Sequence, residues 1–128
     1  MQQMNIIIMK VKAKHFYKIV PCLPGKDLRK TIDWYQNKLG FSEAWFWGSP
    51  PTDVGIQRDD LRLIFGLGEP FKGLDVMIFV DNVDSIYQEI QEKKIRVVYD
   101  ITDEPYGLRE FTIEDIKGYR LRLAESIE

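Results

Sequence analysis

The hydrophobic positions along this chain change period several times, and the changes divide it into short elements. Residues 4–12 (MNIIIMKVK) are rich in β-branched side chains and predict a strand or an N-terminal arm. Residues 16–23 (FYKIVPCL) predict a further strand, with Pro21 marking an edge or a bulge near its end. From Asp27 the period becomes helical. Leu28, Ile32, Tyr35 and Leu39 share one face, Asp27 is placed to cap the start, and Gly40 supplies the stop. Residues 41–47, 53–58 and 61–65 then read as three short strands between turn residues.

The same order recurs. Residues 74–80 (LDVMIFV) predict a strand, and Asn82 opens a helix with Val83, Ile86, Tyr87 and Ile90 on one face. Residues 95–100, 108–113 and 119–124 predict three more strands. An offset of 55 residues lays Leu28 on Val83, Ile32 on Tyr87 and Tyr35 on Ile90, which reads as an internal duplication. The predicted class is α+β: one domain over 1–128, built of two βαβββ modules at 16–66 and 74–125, with residues 1–14 as an arm or extra strand.

Period two assigns faces within the strands. Tyr17, Ile19, Leu61, Leu63, Phe65, Leu74, Val76, Ile78, Val80, Tyr119, Leu121 and Leu123 alternate onto the side expected to meet the helices. The other side holds Lys18, Val20, Cys22, Arg62, Ile64, Asp75, Met77, Phe79, Arg120 and Arg122. That mixture of charged and apolar groups suits the lining of a concave cavity between mixed, curved sheets.

Composition narrows the function. Eighteen Lys and Arg face twenty Asp and Glu, a net charge of −2, so no strong field draws nucleic acid or an anionic membrane. One Cys excludes an internal disulfide and a Cys-based zinc site. One His excludes a two-His metal triad and an HExxH motif. No apolar run approaches the ~20 residues of a membrane span, and Ile6 to Met9 is too short for a signal-peptide core. A cytoplasmic location is the resulting expectation.

Two blocks resemble a known family. Asp27, Trp34-Tyr35 and Leu39-Gly40-Phe41 resemble the D-x6-F-Y-x3-L-G-F signature of the vicinal oxygen chelate superfamily, which holds glyoxalase I, extradiol dioxygenases, fosfomycin-resistance enzymes and bleomycin-resistance proteins. Residues 106–115 (YGLREFTIED) resemble that group's Y-G-x-R-E-F-x3-D block, and the D-P-D-G-N turn after it is altered to Asp115-Ile116-Lys117-Gly118-Tyr119. The resemblance implies paired βαβββ modules around a cavity. It places the superfamily's four metal-ligand positions at Val20, Ile64, Asp75 and Arg122. Only Asp75 is a suitable ligand for a divalent ion, so the expectation is no metal and no cofactor.

Pro21-Cys22-Leu23-Pro24 with Asp27 resembles the P-x-L-P-x-x-D opening of the metal-free, bleomycin-resistance-type branch. The resemblance implies sequestration of a small molecule in a crevice between two copies of the chain, without catalytic residues, in the manner of antibiotic resistance. Candidate ligand-binding residues are Trp45, Trp47, Asp75, Phe79, Tyr99, Glu110 and Arg122, with Tyr106 able to join them. Aromatic faces stack planar groups and a few charges orient the ligand.

Plainer roles compete with each. Trp45 and Trp47 also suit a core, and Asp75 with Arg122 a simple ion pair. Glu110 shares parity with Thr112 and is placed to balance Arg122. Arg109 reads as a structural hydrogen-bonding residue, His15 as a surface residue, and Cys22 lacks the His a nucleophile needs. A cationic drug prefers an acidic crevice, whereas the cavity face includes Arg62, Arg120 and Arg122, which a metabolite with an anionic group would suit equally well. The alternative to a binding protein is a glyoxalase- or dioxygenase-like enzyme with an atypical divalent-metal site; a third reading is a degenerate module serving only dimerisation.

Overall fold

Asp27 begins the first helix by the chemistry the sequence indicates. Its backbone is extended, and its side chain accepts a 3.0 Å hydrogen bond from the Lys30 amide. Helix α1 spans Leu28–Leu39 and ends where Gly40 turns into the left-handed region at φ 67°, so its amide reaches back to Gln36. Helix α2 spans Val83–Glu92 and is capped by Asn82, whose side chain accepts from the Ser85 amide. Glu125 adds to that cap by accepting from the amides of Asn82 (2.8 Å) and Val83 (3.0 Å). Those two bonds hold its carboxyl below the ordinary glutamate range.

The computed structural model describes residues 14–128, so the strand or arm predicted at 4–12 lies outside the described residues. Strands β1 (Cys22–Gly25), β2 (Ser42–Trp47), β3 (Asp53–Arg58) and β4 (Leu61–Leu67) form one sheet, in the order β1-β4-β3-β2. Strands β5 (Asp75–Phe79), β6 (Val97–Asp103), β7 (Leu108–Glu114) and β8 (Arg120–Ser126) form the second, ordered β5-β8-β7-β6. In each sheet the first strand runs parallel to the last and the other pairs are antiparallel. The architecture is the predicted α+β pair of βαβββ modules, with equivalent strand orders in the two halves.

One face of each sheet packs on its helix. Val54, Ile56, Leu63 and Phe65 join Leu28, Ile32 and Tyr35, while Phe111, Ile113 and Leu121 join Val83 and Ile90, all in one continuous core. The period-two assignment holds for Leu63, Phe65, Ile78, Tyr119, Leu121 and Leu123, each under one-tenth exposed. It fails for Tyr17 and Ile19, which are 86% and 90% exposed and precede any strand. The strand predicted over 16–23 is confined to Cys22–Gly25. The register explains this. Cys22 lies opposite Ile64, and β4 begins at Leu61, so a partner for Tyr17 would have to sit in the β3–β4 turn.

The modules are joined by side chains from both halves. The Tyr119 hydroxyl donates to the Pro24 carbonyl at 2.6 Å, and Lys38 Nζ donates to the carbonyl of Lys93, its equivalent 55 residues on. Arg58 holds Glu89 through two hydrogen bonds and donates to the Leu39 carbonyl. At the centre of the junction the Lys117 ammonium is almost buried, 4.1 Å from the Phe65 ring centroid and 3.2 Å from Asp115 Oδ2.

Candidate ligand-binding site

The faces turned away from the helices carry the candidate chemistry. On the second sheet, β8 places Arg122 opposite Met77 of β5 and Thr112 of β7, and Thr112 in turn lies opposite Tyr99 of β6. One residue pair along, Glu110 lies opposite Ala124 and Thr102. Alternation therefore sends Arg122, Thr112, Tyr99 and Glu110 to one side, while Phe111 and Ile113 go to the core. Together with Asp75 and Arg120 they border an open cavity of about 660 Å³, rimmed by Asp100 and Glu104.

Glu110 is the floor of this cavity. Its side chain is 8% exposed, and its Oε1 accepts from Arg122 Nη2 at 2.7 Å and from the Tyr106 hydroxyl at 2.6 Å. Arg122 also donates to Tyr106 at 3.2 Å. The carboxylate raises the pKa of both partners: hydrogen bonding to Glu110 is the main cause for Tyr106 and for Arg122. Oε2 of Glu110 is buried and has no hydrogen-bond partner. Arg120 sits over the Tyr99 ring, 5.4 Å from its centroid, and donates to its hydroxyl at 3.3 Å. On the rim, Asp100 accepts a very short hydrogen bond from Tyr87, which lowers the Asp100 carboxyl and raises the Tyr87 phenol.

Of the residues proposed from sequence, the structure brings Asp75, Tyr99, Glu110 and Arg122 to this one cavity. Arg122 pairs with Glu110 at 2.7 Å. Trp45 and Trp47 lie on the other sheet. Trp45 faces away from α1 and lies flat across Gly55, its strand partner, so close that a Cβ there would meet the indole at 2.4 Å. Phe46 points the other way, under the Arg29 guanidinium of α1. Phe79, at the end of β5, borders a separate apolar cleft of about 410 Å³ with Leu61, Val80 and Ile86. Arg62 belongs to the first sheet and does not border the second-sheet cavity.

Sequence reasoning did not select Asp100, Glu104 or Thr112. Strand parity was the available signal for Thr112. Asp100 had none, because the pairing of β6 with β7 slips between Val97 and Tyr99 and again before Thr102, and Glu104 lies just beyond the end of β6. Arg109 takes the structural role expected of it, bonding Asp84 and Asp103. Among the described residues no three His, Cys, Asp or Glu side chains stand close enough to hold a metal ion. Of the four positions that the family resemblance assigns to metal ligands, Val20 and Ile64 carry no donor atom in their side chains and Arg122 carries a cation, so that set does not fit a divalent metal. None of the described helices is long and apolar enough to cross a membrane.

Residues 76–123 match the sequence model of the Glyoxalase/Bleomycin resistance protein/Dioxygenase superfamily. Among curated proteins none matches the chain in sequence. Solved structures match it throughout. A glyoxalase-related enzyme from Clostridium phytofermentans superposes with a TM-score of 0.77 at 23% identity, over 91% of this chain and 100% of its own. The bleomycin resistance determinant encoded on transposon Tn5 gives 0.75 at 20% identity, over 87% and 98%. TioX from Micromonospora sp. ML1 gives 0.71 at 18% identity, over 86% and 96%. The chain thus has the glyoxalase/bleomycin resistance fold across both modules and carries the superfamily's sequence model in the second.

Proposed function

We propose that this protein is a metal-independent binding protein that sequesters a small molecule as a homodimer. The observation that carries the reading is the floor of the second-sheet cavity: a buried carboxylate held by Arg122 and Tyr106 beneath an open space, beside the Tyr99 ring. A few fixed polar groups next to an aromatic face orient a ligand and need not transform it. The donor-poor set at the superfamily's metal positions supports the same reading.

The second copy enters through exposed aromatic surface. Trp47 is 68% exposed, and Trp45, Tyr99 and Tyr106 are also exposed. Burying an aromatic side chain removes roughly 150–250 Å² from water, so a partner's first sheet laid over the second-sheet cavity both closes the site and gains apolar burial. A module serving only dimerisation would leave the cavity floor without a task.

A thermal-shift screen of polar small molecules tests the reading. A binder at a hundred times its Kd adds about 2.7 kcal/mol of stability. Sedimentation velocity should give a dimer that Trp47→Ala weakens. A screen with no stabilising compound and a monomeric sedimentation coefficient would overturn the proposal. One equivalent of divalent metal per purified chain, with chelator-sensitive turnover, would favour the enzyme reading.

A further inference from the structure

We propose that the second-sheet cavity takes an organic cation that donates N–H hydrogen bonds to Glu110, such as an amine or amidine, rather than an anion. This rests on the binding reading above and names the class of ligand.

The charge balance of the cavity reverses what the sequence suggests. Arg62 is absent from it, and four carboxylates (Asp75, Asp100, Glu104 and Glu110) border it with only Arg120 and Arg122. Both guanidiniums are engaged. Arg122 donates to Glu110 and Tyr106, and Arg120 lies on Tyr99. The Asp75 side chain is exposed on β5, close enough to Arg122 for its charge to help raise the arginine's pKa.

Glu110 sharpens the class. Both of its protein donors go to Oε1, which leaves Oε2 buried, charged and unpartnered. A buried acceptor without a donor is costly, and charge-assisted hydrogen bonds are the strong ones. A ligand cation that displaces the groups covering Oε2 gives it a donor and adds attraction to a net negative lining. An anion meets the same oxygen with repulsion, and Arg122 is already salt-bridged to Glu110, which leaves Arg120 as the one arginine of the lining without a carboxylate partner.

Benzamidine, benzamide and benzoate share one size and differ in charge, so they serve as probes. Titration calorimetry and amide chemical-shift mapping on the whole protein should give benzamidine at least tenfold tighter binding than benzoate. The shifts should centre on Glu110, Thr112 and Arg122. Glu110→Gln puts an amide donor where the orphan oxygen lies and should weaken benzamidine about tenfold while leaving benzamide within about threefold. Asp75→Asn, at an exposed position that cannot perturb the core, should weaken benzamidine about threefold.

Benzoate binding in the cavity as tightly as benzamidine would overturn the class and leave the binding reading intact. Benzamidine affinity unchanged by both variants would overturn the assignment to Glu110 and Asp75. Failure of all three probes, together with failure of the thermal-shift screen, would overturn both proposals.

Discussion

The Tyr35 hydroxyl donates a 2.7 Å hydrogen bond to Asp115 Oδ2, across 80 residues of sequence and from one module to the other. Both groups are buried. Asp115 Oδ1 accepts from the amides of Lys117 and Tyr119, and Oδ2 also faces the Lys117 ammonium. One carboxylate therefore closes a turn of the second module and pins it to the helix of the first.

Tyr35→Phe removes the donor and keeps the ring contacts with Phe41 and Phe65. It leaves a buried carboxylate oxygen with one fewer partner, at an expected cost of about 1–3 kcal/mol. Urea unfolding should show a lower midpoint with an unchanged slope, since compactness of neither state is altered.

Alkaline pH separates the two titrating neighbours of Asp115. Burial raises the Tyr35 pKa well above that of a free phenol, so its contribution is fully present below pH 10 and is lost as pH rises toward its folded pKa. Burial lowers the Lys117 pKa, with Asp115 opposing. Its contribution is therefore fully present above its unfolded pKa of about 10.5 and is lost as pH falls through the folded value. Lys117→Met should thus cost progressively more relative to wild type as pH rises from 8 to 10, and Tyr35→Phe should blunt the fall above 10. Unfolding curves at half-unit pH steps check both slopes.

Arg122 and Glu110 form a pair in which one member is nearly buried. Arg122→Met leaves the Glu110 charge with Tyr106 as its remaining protein donor and should destabilise by about 1–3 kcal/mol. Glu110→Gln combined with Arg122→Met should recover part of that loss. A double-mutant cycle by chemical denaturation measures the coupling, expected between about 0.5 and 3 kcal/mol in favour of the pair.

Gly55 makes room for Trp45. A methyl group there would sit 2.4 Å from the indole, so Gly55→Ala must lift the ring off β3. The expected cost is about 1–3 kcal/mol, with a displaced Trp45 indole N–H resonance. An unmoved resonance and unchanged stability would contradict the close packing of this strand pair.

Local periodicity carried most of the fold. The helical face of Leu28, Ile32 and Tyr35, its echo at Val83, Tyr87 and Ile90, and the caps at Asp27 and Asn82 all depend on neighbours within a few residues, so one sequence suffices to find them. Strand parity likewise put Asp75, Glu110 and Arg122 on a common side, because alternation is a property of the strand itself.

What the sequence left open depends on register and on which sheet a residue joins. Tyr17 alternates correctly, yet β4 begins too late to pair with it, and Ile19 would meet only the first residue of β4. Arg62 and Arg122 share the same parity, yet lie on different sheets, so a list of arginines suggested an anion where the assembled cavity is acidic. Lys117 looks like an ordinary turn residue in the chain, but the packing of one module on the other seats it between Tyr35, Phe65 and Tyr119. Local chemistry decided the elements and their faces. Only long-range packing decided which charges meet, because electrostatic interaction depends on separation and burial rather than on position in the chain.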